Sequence, residues 1–348
     1  MELRTIQGLR LVRTLIQIES SVSQTAIKSN KKMKTKVNFL FKINPIGIGF
    51  IPIITIFSLI LLSNKMNAQT KRETASLGRQ EYVEVEKNVR LHVTDLGEGK
   101  PVVLIHGWPL SDAMYEYQYQ ELVEKGFRVV GITLRGFGKS DKPYGNYDYD
   151  VFADDIKVVL DELDVKYATL GGFSMGGAIA LHYVAKYNAA HVNKLVLFGA
   201  AAPIWTKRAD YPYGFSKDDV NGLIQLSRTN RPQLLENFGK IFGATEISFR
   251  TGYGNWLGGI NIEASAYATT QSLIALRDTD LRTALPKIKI PTAIFHGVQD
   301  KICEFALAEQ MQKGIKNAYL VRFENSGHGL FLEELEKFNA ELVSFIQK

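Results

Sequence analysis

One serine in this 348-residue chain lies in a setting that can make a hydroxyl group reactive. Ser174 stands in the segment 168–177, ATLGGFSMGG, where a short apolar run meets a glycine pair and a long helical pattern follows. This order predicts a strand, a tight turn and a helix, with the serine at the turn. Gly172 and Gly176 flank the serine at two residues on either side, where a strained turn leaves no room for side chains. The segment therefore predicts a nucleophilic serine rather than an incidental one.

A reactive serine needs a base within hydrogen-bond reach, and the base needs an acid that orients it. Asp300 closes the loop after the predicted strand Thr292–Phe295, and His328 lies just past the predicted strand Ala318–Phe323. Both partners therefore come from loops that follow strands, in the chain order serine, aspartate, histidine that such a turn uses. We predict that Ser174, Asp300 and His328 form a catalytic triad.

A second histidine and a tryptophan begin another loop that should lie beside the serine. His106 follows the predicted strand Val102–Ile105, but it precedes Ser174 in the chain, so we predict that it holds the loop rather than acting as the base. Attack on an ester carbonyl builds negative charge on oxygen, which fixed N–H donors must bind. We assign these donors to the backbone N–H groups of Trp108 and of Met175, the latter at a helix N-terminus.

Strands and helices alternate along the body of the chain and would position these loops. Apolar and alternating runs predict eight strands, of which the first two form a hairpin, and amphipathic helices separate the later ones. A last helix is predicted over residues 330–347. The alternation predicts an α/β fold with a mostly parallel sheet and helices on both faces. Residues 203–285 break the alternation after the sixth strand, and we predict that this helical stretch forms a cap over the carboxyl ends of the strands.

Aromatic residues are frequent in the predicted cap and favour an apolar pocket for the acyl or aryl part of a substrate. The candidates for substrate contact are Trp108 and Pro109 in the loop after the third strand and Trp205, Phe238 and Trp256 in the cap. Each cap aromatic could equally belong to the core of the cap itself.

Four segments, HGWPLS, RGFGKSD, GGFSMGG and SGHGL, resemble the α/β-hydrolase superfamily over about residues 82–348. More narrowly they resemble the cofactor-free bacterial aryl esterases, also called non-haem haloperoxidases or perhydrolases. The resemblance implies hydrolysis of small carboxylic esters without metal or haem, by the triad and the oxyanion donors named above. It also implies a side activity that forms peracids from peroxide, with which Pro109 is associated.

The chain departs from that family at two positions. Thr133 stands where the family often has aspartate, and Glu304 stands where it often has proline. Neither change removes a catalytic atom, but both leave the exact substrate open. Lactonases, amidases and carbon–carbon hydrolases use the same triad, and a ligand-binding receptor with little turnover can share the fold, so these alternatives stay open at this point.

Charge separates a leader from the body of the chain. Residues 1–68 hold ten Lys/Arg and two Asp/Glu, which leaves 32 basic and 34 acidic residues downstream. The body therefore offers no basic surface for nucleic acid, and we expect a small-molecule ester as its partner, with homo-oligomers left open. The single cysteine, Cys303, excludes an internal disulfide.

The leader itself predicts export. Lysines precede an uncharged run over residues 43–64, and Ala68 follows, which is typical of a secretory signal cleaved after Ala68. The run is also long enough for an uncleaved transmembrane anchor, and Met33 is an alternative start. We predict a leader over residues 1–68, a flexible linker over 69–80 and a hydrolase domain over 81–348 in a periplasmic or secreted location.

Overall fold

The eight-stranded sheet predicted from the sequence is present, and it sets the position of every candidate catalytic loop. The computed structural model describes residues 80–245, 248, 249 and 252–348. The predicted leader and the predicted linker up to residue 79 lie outside the described residues. Within the described part of the chain, no helix has the length and apolar character that crossing a bilayer requires.

The strands are β1 (Gln80–Glu86), β2 (Val89–Leu96), β3 (Pro101–Ile105), β4 (Arg128–Ile132), β5 (Ala168–Phe173), β6 (Val192–Phe198), β7 (Thr292–Gly297) and β8 (Ala318–Phe323). Their order across the sheet is β1-β2-β4-β3-β5-β6-β7-β8. The β1–β2 and β2–β4 pairs are antiparallel, and every other neighbouring pair is parallel. The parallel strands therefore end at a common edge, where the loops after β3, β5, β7 and β8 meet.

The central strands are buried on both faces. Every residue of β5 and β7 is buried, and in β3 the same holds after Pro101. Because successive side chains point to opposite faces of a strand, such burial requires helices on both sides of the sheet. The predicted fold class is thus confirmed.

The helices are α1 (Glu116–Glu124), α2 (Tyr149–Glu162), α3 (Met175–Lys186), α4 (Lys217–Thr229), α5 (Arg231–Lys240), α6 (Gly252–Ile262), α7 (Ala266–Asp278), α8 (Phe305–Gly314), α9 (Leu330–Glu333) and α10 (Leu335–Gln347). Helices α4 to α7 lie between β6 and β7, which is where the sequence predicts the cap. Short 3₁₀ turns at Asp112–Tyr115 and Leu285–Lys287 complete the described elements.

Polar side chains define where the cap helices begin. Ser216 accepts a hydrogen bond from Asp219 N (3.0 Å) while the Asp219 carboxylate accepts from Ser216 N, so the two residues form a capping box for α4. Asn230 ends α4 and its side chain accepts from Gln233 N (3.2 Å), which starts α5 at once. Ser265 caps α7 through a bond from Ala268 N (3.0 Å).

Glu334 interrupts the region for which the sequence predicts one helix, residues 330–347. Its backbone (φ −122°, ψ 54°) leaves the helical region, so α9 ends there and α10 begins at the next residue. The prediction of a continuous helix is therefore wrong. The Glu334 carboxylate accepts hydrogen bonds from Ser326 Oγ (2.6 Å) and Asn325 N (3.1 Å), a tertiary contact that competes with local helix propensity.

Candidate active site

Ser174 lies at the turn between β5 and α3 in a strained backbone conformation. Its φ of 54° and ψ of −118° are unusual for any residue other than glycine. A Cβ atom added at Gly172 would lie 2.3 Å from the Gly176 carbonyl oxygen, and one added at Gly176 would lie 2.3 Å from His106 O. Both predicted requirements for glycine are confirmed. The turn presents Ser174 with 7% of its surface exposed at the carboxyl end of the sheet.

Asp300 and His328 form a buried hydrogen-bonded pair. The distance between Asp300 Oδ2 and His328 Nδ1 is 2.7 Å. The other carboxylate oxygen, Oδ1, accepts from the backbone N–H groups of Ile302 and Cys303, both at 2.8 Å. Because an ionised carboxylate only accepts, Nδ1 carries the proton and Nε2 keeps a free lone pair. The pair can therefore present a basic nitrogen.

Three loops bring these groups together around the serine. The His328 ring lies with its centroid 4.6 Å from the ring of Phe173, the residue directly before Ser174. The Cys303 thiol lies close enough to the Ser174 side chain to interact with it, and the backbone N–H of Cys303 donates to Asp300 Oδ1. Burial raises the pKa of the Cys303 thiol well above its ordinary value, so the thiol stays neutral. The loops after β5, β7 and β8 thus converge on one place, as the chain order predicts.

His106 holds the loop after β3, in agreement with the structural role predicted for it. Its Nδ1 donates to Gly107 O (2.9 Å), and its Nε2 accepts from Leu134 N (3.0 Å) in the loop after β4. Full burial lowers the pKa of His106 to about 4. The ring is therefore neutral near pH 7, which is the state that lets one nitrogen donate while the other accepts.

Trp108 joins this loop to the cap. Its Nε1–H donates to Thr269 O (3.0 Å) in α7, and its ring packs edge-to-face on Phe238 at 5.1 Å between centroids. Pro109 follows through a cis peptide bond. The backbone N–H groups of Trp108 and Met175 have no hydrogen-bond acceptor within the described part of the chain. Both donors are thus available to a bound oxygen.

Two adjacent glutamates that the sequence analysis did not select hold the loop that carries His328. The Glu333 carboxylate accepts from Gly327 N (2.7 Å) and from Ala244 N (2.8 Å), so it links this loop to the cap. Glu334 accepts from the residues just before Gly327, as described above. The acidic pair follows the apolar run Leu330–Leu332, but nothing in that pattern indicates which backbone groups it would reach.

The two departures from the family pattern also have structural partners. Thr133 Oγ1 and the buried Asp112 carboxylate form a short hydrogen bond, so a carboxylate still lies at the end of β4, although Asp112 comes from another loop. Glu304 accepts from the Gly214 N–H through its side chain and connects the Asp300 loop to the cap. At both positions the side chain that departs from the family pattern makes a hydrogen bond to a residue distant in the chain.

A cavity of about 620 Å³ opens between the loop after β3 and the cap. Trp108, Pro109 and Phe238, three of the five candidates for substrate contact, line it together with Phe242, whose ring lies 5.5 Å from the His328 ring. The remaining lining residues come mainly from α5 and α6: Leu110, Pro232, Leu235, Glu236, Gly239, Lys240, Phe249, Gly254, Asn255, Leu257, Gly258, Asn261 and Ile262.

The other two predicted contacts lie outside this lining because other groups occupy their rings. Trp205 donates Nε1–H to Ile302 O (2.8 Å) and packs on Phe215 at 5.1 Å, so it ties the cap to the Asp300 loop. Trp256 packs on Tyr117 of α1 at 6.0 Å. One face of α6 therefore lines the cavity and another packs on the body of the protein. Residue type alone does not reveal which aromatic residue lies on which face.

The sheet order and the loops at its carboxyl edge are those of an α/β hydrolase, and comparison with known proteins gives the same class. Residues 100–335 match the family model described as the alpha/beta hydrolase fold. The chain belongs to the α/β-hydrolase family.

Relatives narrow the placement within that family. The chain is 48% identical over 264 residues to the AB hydrolase superfamily protein YisY of Bacillus subtilis, which covers 76% of this chain and 98% of that protein. It is 31% identical over 275 residues to a bifunctional esterase/perhydrolase of Acinetobacter calcoaceticus, covering 76% and 99%. The chain thus aligns with these proteins over nearly their full length.

Solved structures agree with the sequence relatives. An esterase from Exiguobacterium antarcticum superposes with a TM-score of 0.75 at 44% identity, covering 78% of this chain and all of that one. A bromoperoxidase from Bacillus anthracis gives the same TM-score and the same coverage at 33% identity. The predicted resemblance to esterases and non-haem haloperoxidases is confirmed.

Proposed function

We propose that this protein is a serine hydrolase that cleaves small carboxylic esters through an acyl-enzyme and also forms peracids from peroxide. The observation that carries the proposal is the buried bond between Asp300 Oδ2 and His328 Nδ1 (2.7 Å), placed beside the strained Ser174 turn. The esterase and the esterase/perhydrolase among the similar proteins support the same chemistry.

The first half of the reaction acylates the serine. Ser174 Oγ attacks the ester carbonyl while His328 Nε2 takes its proton, and Asp300 stabilises the imidazolium that forms. The developing oxyanion accepts hydrogen bonds from Trp108 N–H and Met175 N–H, and α3 adds the positive end of its dipole. The leaving alcohol takes the proton from His328, which leaves the acyl group on Ser174.

The second half removes the acyl group. Water attacks the acyl carbonyl while His328 Nε2 takes its proton, and collapse of the second tetrahedral intermediate releases the carboxylic acid and restores the Ser174 hydroxyl. Hydrogen peroxide can take the place of water in the same step, and the product is then a peracid. One acyl-enzyme thus accounts for both activities.

Ser174→Ala tests the proposal. We expect hydrolysis of p-nitrophenyl acetate and formation of peracetic acid from acetate and peroxide to fall together, by roughly 10⁶ in kcat for the ester. Labelling of Ser174 by a phosphonate inhibitor, followed by mass spectrometry, identifies the nucleophile directly. A wild-type protein that binds esters without turning them over would instead be a receptor on this fold.

A further inference from the structure

Two cap helices present glycines to the cavity at places where a side chain would fit. Gly239 in α5 and Gly258 in α6 both line the cavity. A Cβ atom added at either position would meet no other atom within 4 Å. Neither residue has the positive φ that favours glycine. Neither conformation nor packing therefore requires glycine at these two positions.

Gly254, in the same helix as Gly258, is a contrasting case. An added Cβ at Gly254 would lie 1.8 Å from the Phe249 carbonyl oxygen, so close packing accounts for that glycine. Gly239 and Gly258 are both exposed to solvent, and the missing side chain at each leaves open space along the cavity that they line. Glycine inside a helix also destabilises it relative to alanine, so the larger cavity is obtained at the expense of helix stability.

The chemistry of the lining favours an uncharged apolar ligand. The wall between Trp108 and α6 includes Leu235, Phe238 and Leu257, which are apolar. The two charged residues of the lining neutralise each other, because Lys240 Nζ lies 2.8 Å from a Glu236 carboxylate oxygen in the same helix. The lining from the candidate oxyanion loop to α5 and α6 is thus mostly apolar, and Asn255 and Asn261 are its uncharged polar side chains.

We propose that Gly239 and Gly258 are specificity-determining residues that open the cavity to uncharged esters with a medium-length apolar arm of about six to ten carbon atoms. The inference rests on the ester hydrolysis proposed above. An acetate ester leaves the space between α5 and α6 unfilled. Each additional methylene buried there raises kcat/KM by about three- to fourfold.

The variants Gly258→Leu and Gly259→Leu form a matched pair for the test. Both positions lie in α6, and an added Cβ meets no atom within 4 Å at either one, but Gly259 is not part of the cavity lining. The two substitutions therefore make the same change in helix propensity. A difference between the variants reports on cavity volume alone.

The measurement is the ratio of kcat/KM for a long ester to that for a short one, on the full chain. One series compares p-nitrophenyl octanoate with p-nitrophenyl acetate, and a second compares octyl acetate with ethyl acetate, so that either arm of the ester is sampled. We expect Gly258→Leu to lower the ratio in at least one series by about tenfold or more, because leucine displaces two or more methylenes. Gly259→Leu should keep the wild-type ratio.

Gly239→Leu on α5 provides a second variant that tests the same space from the facing helix, should Gly258→Leu fail to fold. Calorimetric binding of 2-decanone, an uncharged analogue that cannot be hydrolysed, adds a readout that needs no turnover. We expect both cavity variants to bind it more weakly than the wild type, and Gly259→Leu to bind it equally well.

Equal ratios and equal ketone affinities in all variants would overturn the inference and leave the proposed ester hydrolysis intact. An equal loss in Gly258→Leu and Gly259→Leu would also overturn it, because helix stabilisation would then be the cause. Failure of the wild type to hydrolyse any ester would overturn the proposed function instead, while the ketone affinities would still decide the inference.

Discussion

The glycines of the Ser174 turn and two glycines of the cap, Gly239 and Gly258, have opposite steric surroundings. At Gly172 and Gly176 an added side-chain carbon would lie 2.3 Å from a backbone oxygen, whereas at Gly239 and Gly258 it would meet no atom within 4 Å. The turn excludes side chains because the strained serine and the β3 loop pack against it. The cap leaves space at Gly239 and Gly258 because both residues line the cavity beside the candidate oxyanion loop.

The same contrast extends to the hydrogen bonds of the two regions. Both carboxylate oxygens of Asp300 accept hydrogen bonds, one of them in the pair with His328, and Glu333 holds the backbone of the histidine loop. The walls of the cavity are mostly apolar and make few directional contacts. We therefore expect substitutions at the sheet edge to change kcat or stability, and substitutions in the cavity to change substrate preference.

Among substitutions at the sheet edge that keep the Ser174 hydroxyl, we expect Asp300→Asn to have the largest effect. An asparagine can no longer fix the proton on His328 Nδ1, so we expect kcat for p-nitrophenyl acetate to fall by roughly 10⁴. KM should stay within a few-fold of wild type, because the cavity is unchanged. Asp210→Asn, at an ion pair with Arg282 on the cap surface, is the matched control and should keep full activity. If kcat/KM fell through a higher KM instead, Asp300 would affect substrate binding. That result would contradict the distinction between the sheet edge and the cavity.

The second expected effect is on stability, and it compares a glycine of the Ser174 turn with a glycine of the cavity. Gly176→Ala places a carbon 2.3 Å from His106 O, and we expect the free energy of unfolding to fall by about 3 kcal/mol. Gly258→Ala should instead raise it by about 0.5–1 kcal/mol, because alanine favours the helix and meets no neighbour. Urea denaturation of the three proteins measures both changes. Changes of the same sign would contradict the distinction between a packed turn and an open cavity.

The third expected effect is a pH dependence of stability that comes from the loop after β3. The fold lowers the pKa of His106 to about 4, so the unfolded chain binds this proton at a higher pH than the folded protein does. Above about pH 6.5 His106 is neutral in both states, and its contribution to the free energy of unfolding is fully present. As the pH falls towards 4 the unfolded chain takes up the proton first, so the free energy of unfolding decreases by about 3 kcal/mol in total.

His106→Asn removes the titrating group and isolates this contribution from those of the carboxylates. The free energy of unfolding, measured by urea denaturation at several pH values, should fall less steeply between pH 6.5 and 4 in the variant than in the wild type. Parallel curves would show that the burial of His106 has no such energetic effect.

Several features of the candidate site could be predicted because they are local. The strand, the two glycines and the serine of the turn lie within ten consecutive residues, and their steric requirement is visible in residue type. Asp300 and His328 follow recognisable strands, so parallel topology alone brings their loops to one edge. The continuous helix over residues 330–347 was predicted wrongly, because Glu334 responds to a loop that folds back on it.

The candidate reacting groups and the sheet that orders them follow from the sequence, because periodicity, glycine placement and chain order act over short distances. Tertiary structure alone decided which side chains face the cavity. Phe238 and Trp256 look alike as cap aromatics, yet one packs on Trp108 in the cavity wall and the other on Tyr117 of the body. The physical reason is that the rotation of a cap helix against its neighbours depends on contacts distant in the chain, and those contacts leave no periodic signal.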